Sequence, residues 1–181
     1  MKKYITAMLV ATVAAIAACS TAAGVSPSAP SAGAATGTSP QSNVRQVSGV
    51  GEVQQQPGVV HRDTIAAKRE ADGSASGDLT VRLLDLSGFG LDTGHVTVVG
   101  KITCLEFTED SVWFGATMTS ASDKSLLTPG LEETIGQIKK VNGVDYLFSG
   151  PAAFYVAPGT RCTDRPALPI QPLTAGRFNI R

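Results

Sequence analysis

Covalent, redox and metal chemistry in this 181-residue chain would fall first to three cysteines, Cys19, Cys104 and Cys162, and two histidines, His61 and His95. A thiol can be alkylated, oxidised to a disulfide or deprotonated onto a metal, and an imidazole moves protons or binds metal near neutral pH. The cysteines are far apart in sequence, with no short CxxC spacing and no adjacent histidine, so zinc lacks its usual ligand pattern. His95 falls on the polar face of "HVTVVGKITC" and reads as a solvated side chain. Nothing in the order of residues brings a serine, a histidine and an aspartate together. Glu106, Glu109 and Asp110 cluster next to a turn and offer oxygen ligands of the kind calcium takes. The same three suit a solvated hairpin tip, which is the reading adopted. "GSASG" at 73–77 has Ala75 where a nucleophile elbow needs serine. Gly88, Gly90 and Gly94 follow GxGxxxG spacing without a surrounding βαβ pattern, so no dinucleotide site is read there. No catalytic residue, metal ligand or cofactor is assigned.

The segment that carries Cys19 is organised for export. Lys2 and Lys3 precede an apolar run from Tyr4 to Ile16, broken by Thr6 and Thr12. That run is too short to span a bilayer and suits the core of a signal peptide. It ends in Ile16-Ala17-Ala18-Cys19, which resembles the lipobox of bacterial lipoproteins. The resemblance implies a signal peptide over 1–18 and a lipidated Cys19 as the mature N-terminus. It further implies a chain held on a bacterial membrane, at the cell surface or on the periplasmic side. Two or more acyl chains anchor stably, whereas one does so only marginally. Residues 19–45 then form a flexible linker of Ala, Ser, Gly, Pro and Thr with no aromatic residue. Such a composition cannot bury enough apolar surface to offset chain entropy. Its end-to-end distance is on the order of 28 Å by square-root scaling.

Cysteine parity follows from that assignment. With Cys19 committed to lipid, two thiols remain in an oxidising compartment, and a Cys104–Cys162 disulfide is expected. It would close a loop of about 59 residues and contribute roughly 4 kcal/mol through chain entropy. The chain holds 15 basic and 15 acidic residues, and loss of Lys2 and Lys3 leaves 13 basic ones. No basic run or stripe stands out, so nucleic acid is not an expected partner.

Residues 46–181 should form one β-domain. "LTVRLL" places Leu79, Val81 and Leu83 on one face, and "HVTVVGKITC" groups Val96, Val98, Ile102 and Cys104. "SVWFGATMT" directs Val112, Phe114, Ala116 and Met118 inward against Trp113, Thr117 and Thr119, and "VDYLFS" groups Val144, Tyr146 and Phe148. Period-two alternation of β-branched and aromatic residues is strand patterning. Asn142-Gly143 is a strong hairpin signal, and "AGRFNIR" reads as a charged edge strand. "DTIAAKREA" and "LEETIGQIKK" contain good helix formers, with Asp63 able to cap, yet both are read as strands in these surroundings. The fold class is all-β: a single antiparallel meander of about 6–8 strands, barrel-like or a sandwich. The segments "KITCLEF", "WFGATMTS", "KVNGVDYLFSG", "RCTDRP" and "PLTAGRFNIR" together resemble a group of uncharacterised, secreted bacterial β-domains. That resemblance implies the fold and supplies no activity.

Leu91-Asp92-Thr93-Gly94 is similar to the active-site loop of aspartic proteases, where two such aspartates share a proton. His95 stands where that family has Ala or Ser, and a polar turn into the next strand is the simpler reading. Pro166, Pro169 and Pro172 recur at the polyproline period and should stiffen the crossing to the last strand. Three functions stay open. The first is a non-catalytic interaction or structural module of the cell envelope, engaging an envelope protein or polymer. The second is a β-barrel carrier of a small apolar ligand, and the third is a hydrolase. A full set of Val, Ile, Leu, Phe and Met at inward positions favours a filled core and hence the first. Small residues at Gly100, Gly115 and Ala116 are the hint of a cavity.

Overall fold

The structure is a computed structural model that describes residues 44–90 and 95–181. The expected signal peptide, the lipidation site Cys19, nearly all of the linker, and Leu91-Asp92-Thr93-Gly94 lie outside the described residues.

Alternating side chains make nine strands. They are β1 (Arg45–Gln56), β2 (Val59–Arg69), β3 (Ala75–Asp85), β4 (Val96–Phe107), β5 (Ser111–Ala121), β6 (Glu133–Val141), β7 (Val144–Pro151), β8 (Gln171–Pro172) and β9 (Ala175–Ile180). One short helix, α1 (Ala152–Tyr155), follows β7. All nine strands form a single antiparallel sheet in the order β8-β7-β6-β5-β4-β3-β2-β1-β9, curled into a half-barrel. The expected all-β meander is therefore present, barrel-like, with nine strands in place of six to eight. The additional ones are β1, whose "RQVSGVGEVQQQ" is mostly polar, and the two-residue β8. Val141 pairs with Val144 across Asn142-Gly143, and both turn residues have positive φ, at 52° and 81°. This is the conformation a tight two-residue hairpin requires.

The curl brings the two ends of the sheet to one piece of chain. β8 pairs with β7 while β9 pairs with β1, and Leu173 and Thr174 cross between them. The Leu173 N–H donates to the Asp145 carbonyl (3.0 Å) and the Thr174 N–H to the Glu52 carbonyl (2.8 Å). Buried Asp145 on β7 accepts the Phe178 N–H (2.6 Å) and the Lys140 ammonium (2.5 Å) through its carboxylate. Val47, Val53, Ile65, Leu79, Phe114, Ile138, Leu147 and Phe178 then meet inside. Gly136 leaves the space for the Phe114 ring, since a Cβ there would lie 2.1 Å from Phe114 Cζ.

Two face assignments are corrected. The register shifts between Ile102 and Cys104, so a bulge turns Cys104 outward and gives the core Leu105 and Phe107. One extra residue in a strand reverses every later side chain. On β7 the phase is reversed: Leu147 enters the core cluster in place of Val144, Tyr146 and Phe148. Phe148 is still buried, with its ring edge-on to that of Tyr155 at 4.5 Å.

Residues 152–170 form a strap against the outer face of β4 to β7. It is tied down by the Cys104–Cys162 disulfide (Cα–Cα 6.1 Å), as expected from parity. The Trp113 indole N–H donates to the Pro166 carbonyl (3.1 Å). Glu106 accepts from Arg69 (2.7 Å) and from Arg165 on the strap.

Candidate functional site

On β2 the alternation Val59, His61, Asp63, Ile65, Ala67 is buried throughout, and Thr64, Ala66 and Lys68 between them are exposed. An imidazole and a carboxylate two residues apart on one strand share a face and can touch. His61 Nδ1 lies 2.7 Å from Asp63 Oδ1, and the two side chains are only 3% and 1% exposed. A carboxylate oxygen can only accept, so Nδ1 carries the hydrogen and Nε2 is the ring atom left over. Among the described residues, His61 Nε2 and Asp63 Oδ2 are the buried side-chain atoms with no hydrogen-bond partner. Native interiors satisfy nearly all such groups, because an unpaired one loses its hydration without compensation.

His61 lines a cavity of about 280 Å³ at one end of the half-barrel. Its walls are Val59, Val81, Leu83, Leu86, Val98, Met118, Leu126 and Leu131, drawn from β2 to β5 and the β3–β4 and β5–β6 connections. Thr134, Ser149 and Gln55 add polar groups, while Phe154 and Tyr155 of α1 stand beside it. The Gln55 amide reaches the Tyr155 hydroxyl at 3.4 Å. The strap thus carries two aromatic residues, 68% and 41% exposed, to the rim. Ligand pockets are typically apolar concavities with a few convergent polar groups, and this one has that character at a volume just below the usual range.

Two other concavities differ. A cleft of about 720 Å³ lies between the strap and the outer sheet face, beside the disulfide. Arg69 on its wall is already paired with Glu106. A third, of about 380 Å³, lies at the seam where Lys140 pairs with Asp145.

The residues singled out in the sequence are dispersed. His95 is exposed immediately before β4, and Glu106 is occupied by two arginines. Asp110 holds the β4–β5 turn: it accepts from Ser111 (3.0 Å) and Thr108 (3.2 Å), with Lys139 Nζ 3.9 Å away. These contacts, Ser111 first, hold its carboxyl below the ordinary aspartate value. Ala75 opens β3, and Gly88 and Gly90 sit in and after a single 3₁₀ turn. Gly100, Gly115 and Ala116 do not line the inner cavity, and Gly115 faces the outer cleft. Asp63 caps no helix; it is the buried partner of His61. Ser149 lines the same cavity as His61, but Nε2 has no partner, so no hydrogen-bonded Ser-His-Asp chain exists here. The pair was missed in the sequence because the strand was begun at Asp63; "VVHRDTIAA" read from Val59 carries the signal. Comparison of the chain with protein-family models, curated proteins and solved structures found no match.

Proposed function

We propose that the chain is a membrane-tethered carrier, lipidated at Cys19, whose β-domain holds a small, largely apolar ligand inside one end of the half-barrel. The observation behind it is the aliphatic pocket that counts His61 among its lining residues, with the Nε2 of that ring buried and unpaired. A filled core had favoured an interaction module; the half-open pocket of about 280 Å³ beside that core is what supports the carrier instead. Val98→Phe adds a ring to the cavity wall and should weaken binding of 1-hexanol at least about tenfold, with the unfolding midpoint unchanged or raised. Equal affinity in both proteins would refute the carrier.

The interaction module is retained as the second reading because of Phe154 and Tyr155, exposed side by side on the strap. A partner protein or envelope polymer docking there would be cross-linked through a photoreactive residue at position 154. A hydrolase built on this pair would need a nucleophilic oxygen brought within hydrogen-bond reach of Nε2.

A further inference from the structure

Within the carrier reading, on which this inference rests, we propose that the ligand is a neutral aliphatic alcohol seated with its hydroxyl against His61 Nε2. Three properties of the site lead there.

The first is the orphaned atom. His61 is held by Asp63 through Nδ1, so its orientation is set and Nε2 is the ring atom that lacks a partner, as Oδ2 does on Asp63. A pure hydrocarbon in the cavity would leave it unpaired. A hydroxyl both donates and accepts, so it satisfies Nε2 whether that atom carries a hydrogen or a lone pair. An ether or carbonyl oxygen satisfies only the first case.

The second is charge. The Asp63 carboxylate is 1% exposed and has one imidazole beside it. An anionic head would bring a second negative charge to a site with a single group able to balance one. Burying such a charge is costly. A neutral head adds none.

The third is size and wall chemistry. About 280 Å³, at the ~30 Å³ that a water-sized unit occupies in a liquid, holds on the order of ten non-hydrogen atoms. Leu83, Leu86, Val98, Met118, Leu126 and Leu131 offer the rest of the molecule only aliphatic and thioether surface.

The test is an NMR titration of the full-length chain with ¹⁵N-labelled histidine, using 1-hexanol, hexanoate and hexane delivered through the vapour. The chain has two histidines, and exposed His95 serves as an internal reference. The expected result is a shift of the His61 Nε2 signal with 1-hexanol and an unchanged His95. Binding of the alcohol should be roughly tenfold or more tighter than that of hexane, the difference a satisfied buried acceptor makes. Hexanoate should bind no better than hexane. Equal binding of hexane and 1-hexanol, or tighter binding of hexanoate, overturns the alcohol assignment and leaves the carrier standing. If none of the three probes perturbs the Met118 methyl signal or His61, the carrier itself falls.

Discussion

Replacing both Cys104 and Cys162 with alanine should cost more stability than any other change to the strap. The bridge joins residues 58 apart in sequence. The loop-entropy relation puts its constraint on the unfolded chain at about 4 kcal/mol. The other ties are weaker: the indole hydrogen bond to Pro166, the Phe148–Tyr155 ring contact, the Gln55–Tyr155 hydrogen bond and the partly exposed pair Arg165–Glu106. Ion pairs of that exposure contribute at most about 1 kcal/mol. A domain of this size loses roughly 3–4 °C of melting temperature per kcal/mol, so the expected drop is about 12–16 °C. Trp113 is the only tryptophan and touches the strap, so its fluorescence reports the transition directly. Urea unfolding of oxidised wild type and the Cys104→Ala/Cys162→Ala variant, with far-UV circular dichroism as a second probe, gives the difference. A loss below about 1 kcal/mol would refute the idea that the bridge acts by restraining the long loop.

Cys19→Ser should abolish a diacylglycerol mass increment on the N-terminal peptide and move the chain from the membrane to the soluble fraction. Membrane retention with an unmodified residue 19 would remove the lipid anchor from the proposal. Gly136→Ala should destabilise the fold by about 1–3 kcal/mol, because the new Cβ would meet the Phe114 ring and force the core to shift; urea unfolding checks it. Asp110 gives a pH dependence. Its carboxyl is held below the ordinary value by Ser111, then Thr108 and Lys139, so its contribution is full above the unfolded pKa and lost as pH falls through the folded one. Wild type should therefore exceed Asp110→Asn in stability at pH 7, and the gap should close in strong acid.

Strand patterning was legible wherever one face was apolar and the other polar, as in β3 and β5. It was also legible at Asn142-Gly143, where only one tight turn suits the residues. β2 shows why local propensity is a weak guide: its Ala, Lys and Arg favour helix, yet Ile65 and Ala67 are buried between β1 and β3. Cooperative pairing on both sides outweighs a few tenths of a kcal/mol per residue. The bulge before Cys104 was not legible, because a period-two pattern continues across an inserted residue with no change in composition. Nor was the phase of β7, where Tyr146 and Phe148 look like the core side of the strand. Phe148 is buried on the other side, under a ring supplied by the strap. The cavity was hidden for the same reason. Its walls come from β2 to β7 and α1, elements that share a space only after the sheet has curled and its ends have met at Asp145. Gly100 serves close approach to β5 instead, Gly115 faces the outer cleft, and Ala116 is packed in the core. Location, by contrast, was expected from residues 1–20 alone, since an export signal is read as an extended sequence before folding.

The carrier stands or falls most directly on native mass spectrometry of the full chain purified from its own cells under gentle conditions. The expected spectrum shows the chain plus a small neutral compound that dissociates on collisional heating, with two hydrogens fewer than the free-thiol mass. A single mass for the unliganded chain under every condition, from a preparation never exposed to denaturant, would contradict it.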